Sequence, residues 1–197
     1  MTAIDRHRAS VLLIDMQERL VPEVEAGVAI AEMARQVMTW LASQDATVVI
    51  TEHCADKLGP TGFELPKCAT CLQKRAFSAL KEHSAQVVAP QDQVFVCGME
   101  AHVCVLQTVL DLLEAGKQVF VLSDLVTSYD ATSRVIALDR MKDAGAIVVT
   151  TEMMLFENLA PGNYTITVLD SDGCSSSAEA VVANAAAHVM GILDRGK

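Results

Sequence analysis

Apolar and polar positions fall into two kinds of block along this chain. Apolar runs at SVLLIDMQ (10–17), TVVITEH (47–53), VFV (94–96), KQVFVLSD (117–124) and AIVVTTE (146–152) read as strands covered on both faces. Between them lie stretches of helical periodicity at 24–44, from Ala101 or His102 onward, and at 130–144. Val105, Val109, Leu112 and Leu113 give the second helix its inner face, and Gly116 sits where a left-handed C-cap belongs. The third carries Arg134, Arg140 and Lys142 on its polar side. Strand and helix alternate with connections of a few residues. That predicts an α/β fold, a three-layer, doubly wound, mainly parallel sheet, as one domain over 1–197.

Two stretches break the pattern. Residues 54–73 hold Gly59, Pro60, Gly62 and Pro66 and read as an irregular loop, a lid or pocket wall, before a short helical turn in QKRAFSAL (73–80). From residue 159 the chain changes character, with an atypical segment at 160–183. Tyr164, Ile166 and Val168 alternate with Thr165 and Thr167, and a Ser-Asp-Gly turn follows. Tyr164–Leu169 and Ser175–Val182 could pair across Asp170–Cys174 as a hairpin that buries its apolar face against its own domain or a neighbouring subunit. Alternatively, the second half joins a terminal helix over 178–194. Asn163-Tyr-Thr165 matches a glycosylation sequon, which is read as chance.

Composition narrows the picture. A net charge of −10 disfavours nucleic acid, whose phosphates need a basic face. No apolar run reaches transmembrane length and the N-terminus lacks an apolar signal core, so the expectation is a cytoplasmic protein away from membranes. Six scattered Cys suit reduced thiols. With 51% hydrophobic residues, the surplus apolar surface suggests a homo-oligomer.

Candidate chemistry gathers at strand ends. Cys104 falls in the first turn of the helix after the 94–96 strand, where unpaired N–H groups and the helix dipole favour a thiolate. It is either a nucleophile or a small hydrophobe filling the junction. Asp15 ends the first strand, on the edge where open α/β sheets build their sites; a loop acid capping the next element is the plainer reading. Lys74, alone, is a surface charge. Glu52 and His53 end the second strand. Cys68 and Cys71 form a lone CxxC, half a zinc site at most, and ordinary loop cysteines explain it as well.

Three segments, LLIDMQERL, KRAFSAL and GMEAHVCVLQT, stand in one order and converge on one sheet edge. Together they resemble the cysteine hydrolases of the isochorismatase-like superfamily. TEHCADKLGPT and the stretch from SDLVTSYDATSR to TTEMMLFE are most similar to the isochorismatase-domain-containing and MAR1-like subgroup. The resemblance spans 8–158 and stops there. It implies a Rossmann-like sheet and a catalytic triad of Asp15, Lys74 and Cys104. It also implies a cis peptide at Met99–Glu100, and an oxyanion hole from the N–H groups of Glu100 and Cys104. Lys74 would supply a cation that lowers the thiol pKa, and Asp15 would accept the thiol proton. No cofactor is implied and no metal, since Glu52-His53-Cys54-Ala55-Asp56 lacks the Asp-x-His spacing by which nicotinamidases hold zinc.

The first function this suggests is hydrolysis of a small amide or related C–N bond through a thioester, on a small-molecule substrate. The others are a non-catalytic scaffold or partner-binding member of the fold, and a redox protein using the CxxC.

Overall fold

The computed structural model describes residues 8–158, 162–169 and 175–182. Six strands, β1 (Ala9–Ile14), β2 (Thr47–His53), β3 (Thr70–Lys74), β4 (Gln93–Gly98), β5 (Gln118–Val126) and β6 (Ile147–Val149), make one sheet in the order β3-β2-β1-β4-β5-β6. Every pair in it is parallel. β1 and β4 are buried at every position, and apart from Gln93 each carries small or apolar residues on both faces. Helices cover both sides. The main ones are α1 (Gly27–Ser43), α4 (Leu106–Glu114), α5 (Ala131–Asp143) and α6 (Thr151–Asn158), with single turns α2 (Ala55–Leu58) and α3 (Ala85–Val88).

The order of the strands positions the site. From β1 the chain adds β2 and β3 on one side, then returns to lay β4 against the other side of β1. The direction of winding reverses between β1 and β4, and the crevice outside their carboxyl ends is where such sheets bind ligands.

Several elements differ from the sequence reading, each for a local reason. Residues 70–74, expected within the irregular loop, form β3 in parallel register with β2. This is an edge strand, mostly exposed, so TCLQK carries no apolar run to announce it. Helix α1 begins at Gly27 rather than 24 because Val21–Glu23 forms a 3₁₀ turn around Pro22. The turn packs so closely that a Cβ on Gly27 would stand 2.0 Å from the Val21 carbonyl oxygen. β6 stops at Val149, and the Asp124 carboxylate accepts from the N–H (2.9 Å) and hydroxyl (3.1 Å) of Thr151, starting α6. Arg134 is not a solvated charge: it is half-buried and donates to the carbonyls of Val126 and Ser123.

The chain divides into two compact units, Met1–Met154 and Leu155–Lys197. In the second, β7 (Gly162–Leu169) and β8 (Ser175–Val182) pair antiparallel from Leu169↔Ser175 to Gly162↔Val182. Residues 178–182 therefore belong to a strand and not to a terminal helix. The turn at Asp170–Cys174 and the expected helix beyond Val182 lie outside the described residues.

Candidate active site

Asp15, Lys74 and Cys104 come from three separate strand ends and meet at the switch point. Asp15 follows β1 with a φ of 53°, in the left-handed region that Asp tolerates better than most residues. Its N–H donates to the Thr51 carbonyl at 3.1 Å, which locks the turn to β2. The carboxylate is wholly buried. Oδ1 accepts from the Thr51 hydroxyl at 2.7 Å, and Oδ2 from the Lys74 ammonium at 2.6 Å.

Lys74 is the last residue of β3, and its side chain is as buried as that of Asp15. Beyond Asp15, Nζ donates to the carbonyls of Ala76 at 3.3 Å and Phe77 at 3.0 Å. Three donors thus find three acceptors. Desolvating such a pair costs several kcal/mol per ion, roughly offset by mutual attraction. Stability alone gives little reason to keep it, and its place in the crevice at the strand ends makes it a candidate for chemistry.

Cys104 is placed by an unusual helix start. Gly98 closes β4 at φ +136°, where a Cβ would stand 2.2 Å from the Ile14 carbonyl oxygen. The next peptide bond, Met99–Glu100, is cis. The Met99 N–H donates to Ile14 at 3.0 Å and the Ala101 N–H to Thr127 at 2.9 Å, tying the corner to β1 and to the end of β5. Ala101–Val105 then makes one π-helical turn, with Val105 N–H donating to the Glu100 carbonyl at 3.1 Å, before α4 takes over. This wider turn carries Cys104, buried at 6% exposure, close enough to Asp15 and Lys74 for both to act on its thiol.

The expectation of a lowered thiol pKa is overturned. Burial, and next the Asp15 carboxylate, push the Cys104 thiol up to about 12, and the opposing pull of Lys74 is smaller. The sequence shows a helix start and a lysine; it does not show that the thiol is desolvated against a carboxylate. Both leading causes favour the neutral thiol over the thiolate.

Around this centre, the Glu100 carboxylate turns toward the segment after β5, accepting from the Tyr129 N–H at 3.0 Å. His102 Nδ1 lies 3.1 Å from the Ser128 hydroxyl. The Glu52 carboxylate is occupied by the Thr61 N–H (2.8 Å), the Thr61 hydroxyl (3.0 Å) and the Gln73 amide (2.7 Å). His53 packs on Phe77 with ring centroids 5.5 Å apart, and its buried Nδ1 has no hydrogen-bond partner among the described residues. Among the described residues no three His, Cys, Asp or Glu side chains are grouped to hold a metal ion. Cys71 sits on the edge strand β3, where partial burial and Glu52 push its thiol up to about 11, the reverse of a redox-active cysteine.

The sequence reading missed Thr51, whose hydroxyl holds Asp15. Thr51 lies two residues before His53, on the same face of β2, and that parity was the available signal. The family model for the isochorismatase domain matches residues 9–153. This chain belongs to the isochorismatase family. It is 35% identical to the isochorismatase domain-containing protein 2 of Rattus norvegicus over 148 residues, which is 74% of this chain and 70% of that protein. The solved structure of MAR1 ribonuclease from Caenorhabditis elegans matches with a TM-score of 0.69 at 30% identity, covering 78% of this chain and 83% of that one. The YcaC gene product of Escherichia coli, an octameric hydrolase of unknown specificity, matches with a TM-score of 0.68 at 22% identity, over 80% and 82%.

Proposed function

We propose that this protein is a cysteine hydrolase that cleaves a small amide or related C–N bond through a thioester. The observation that carries this reading is the buried Asp15–Lys74 pair, at 2.6 Å, with the Cys104 thiol in reach of both. A neutral thiol beside a carboxylate suits attack coupled to proton transfer. Cys104 Sγ adds to the substrate carbonyl carbon as its proton passes to Asp15. The oxyanion is held by the N–H groups of Glu100 and Cys104, a site for which the cis bond and the widened turn are the support. Such donors are typically worth about 10²–10³ in rate each. The intermediate collapses with cleavage of the C–N bond, and Asp15 returns the proton to the leaving amine. Water then attacks the thioester, giving up its proton to Asp15, and the proton returns to Cys104 Sγ as the acid departs. Lys74 stays charged throughout and keeps Asp15 oriented.

The substrate class is a small molecule, with no metal or other cofactor in these steps. A ribonuclease activity, as the MAR1 neighbour is named, fits poorly with a net charge of −10 and a deeply buried nucleophile. A homo-oligomer in the cytoplasm completes the proposal; the octameric neighbour and the exposed apolar side chains support assembly. One observation favours a second reading, a non-catalytic partner-binding member of the fold. A thiol pushed up to about 12 is what an inert buried cysteine would show.

A screen of small amides with wild type beside Cys104→Ala and Cys104→Ser separates the two. The hydrolase reading expects turnover that both variants lose, by about 10³ or more, while remaining folded. Equal hydrolysis by Cys104→Ser would remove the covalent step. No turnover of any amide, with wild type and variants alike, would favour the binding protein.

A further inference from the structure

The Lys74 ammonium is held on two sides. Asp15 holds one; the carbonyls of Ala76 and Phe77, from the segment directly after β3, hold the other. Nothing in residues 75–77 fixes that segment by itself, since it is neither helix nor strand. Arg75 reaches Asp56 at 3.5 Å and the Phe77 ring packs on His53, but the backbone N–H groups of the segment are held by a carboxylate from further along the chain. Glu82 Oε1 accepts from the N–H of Arg75 at 2.7 Å and from the N–H of Ala76 at 2.5 Å. Glu82 follows the 3₁₀ turn Ala79–Lys81, whose first residue donates its N–H to the Thr108 hydroxyl on α4 at 3.2 Å. The same turn is capped by Ser78, whose hydroxyl donates to the Asp111 carboxylate at 2.6 Å. A chain of contacts thus runs from α4, the helix that continues from Cys104, through this turn and Glu82 to the two carbonyls on Lys74.

We propose that Glu82 is a positioning residue for the reaction, setting the Ala76 and Phe77 carbonyls so that the Lys74 ammonium stays against Asp15 and Cys104. The inference rests on the reading of Cys104 as nucleophile and Lys74 as its cationic neighbour. Two facts agree with it. Both N–H bonds, first that of Ala76 and then that of Arg75, hold the Glu82 carboxyl below the usual carboxylate range, with a smaller contribution from Lys74 itself. Charge-assisted bonds of this kind are about twice as strong as neutral ones.

The test reads the alkylation rate of Cys104 by iodoacetamide at neutral pH, resolved by peptide mass spectrometry, in wild type, Glu82→Ala, Glu82→Gln and Lys74→Ala. Three effects of Glu82→Ala have different signs. Loss of a nearby negative charge would favour the thiolate and speed alkylation. Loosening of the fold would expose a buried thiol and also speed it. Misplacing the Lys74 ammonium removes the cation that lowers the thiol pKa, and so slows it. The expected result is slowing by about threefold to tenfold in Glu82→Ala, in the same direction as Lys74→Ala. Glu82→Gln, which keeps a neutral acceptor for both N–H groups, should recover at least half of the loss on a logarithmic scale. Unchanged or faster alkylation in Glu82→Ala, with Lys74→Ala slowed, overturns the role of Glu82 and leaves the proposed mechanism standing. If Lys74→Ala itself is not slowed, Lys74 is not coupled to the thiol and this inference falls, while the amide screen still decides the mechanism. Should Glu82→Ala not fold, Glu82→Gln decides: faster alkylation than wild type overturns the inference, and a slowing smaller than that of Lys74→Ala supports it.

Discussion

Three side chains with opposed demands are packed into one dry corner. Lys74 needs an anion, Asp15 needs donors, and the Cys104 thiol between them feels desolvation first and the carboxylate next. The direction of its pKa follows from that order, and so does a pH dependence. A thiol raised to about 12 is protonated at neutral pH, so its thiolate fraction grows about tenfold with each pH unit well past the point where a free cysteine, near 8.5, levels off. Alkylation of Cys104 by iodoacetamide is therefore expected to be slower than that of a model thiol at neutral pH, and to keep climbing into strongly alkaline solution. A plateau near neutrality would show a preformed thiolate, and with it a cation that outweighs Asp15. Under the proposed mechanism turnover does not share this alkaline dependence, because Asp15 removes the proton only as the bond to carbon forms.

Elements decide where those side chains can be, and they were unevenly legible in the sequence. β1, β2, β4 and β5 announced themselves as apolar runs, and their carboxyl-terminal residues were placed at the right edge. Lys74 was placed without its strand, because β3 is an edge strand with polar residues on its exposed positions and no periodicity to read. The π-helical turn at Ala101–Val105 was not legible either: its sequence, AHVCV, has ordinary helical character, and the cis bond before it entered only through family resemblance. Gly98 is the element-scale hinge of this arrangement. It pairs with Ile14 across β1 and β4 at φ +136°, and a Cβ there would stand 2.2 Å from a backbone oxygen that cannot swing aside. Gly98→Ala must either push β4 from β1 or twist the corner that carries Cys104. The expected loss is about 3 kcal/mol, combining left-handed strain with overpacking, read from urea unfolding curves. A loss below about 1 kcal/mol would mean that the strand pair yields easily and does not hold the corner.

The whole molecule leaves apolar side chains facing outward that the fold itself does not use. Tyr129 (65% exposed), Val135 (52%) and Ile136 (62%) lie on α5 and its approach, and Ile147 on β6 is partly exposed as well. α5 is a weakly amphipathic helix that buries Ala137 and Met141 and packs Leu138 against the core, which leaves Val135 and Ile136 exposed. Single exposed hydrophobes are common on any surface, but two adjacent β-branched residues at mid-helix are disfavoured in water and suited to an interface. Closed assemblies bury such faces symmetrically, the same patch on each copy. Light scattering at micromolar concentration should therefore return a multiple of the chain mass, and Val135→Asp with Ile136→Asp should lower it without unfolding the protein. A monomeric mass for wild type would count against assembly altogether. A multimer indifferent to the double substitution would move the interface away from α5. Tyr129 makes the distinction informative for the site too, because its backbone N–H is donated to the Glu100 carboxylate at 3.0 Å, next to the cis bond. An interface on this face would brace the Met99–Glu100 corner, and under the proposed mechanism dissociation by the double substitution should then lower turnover as well as mass.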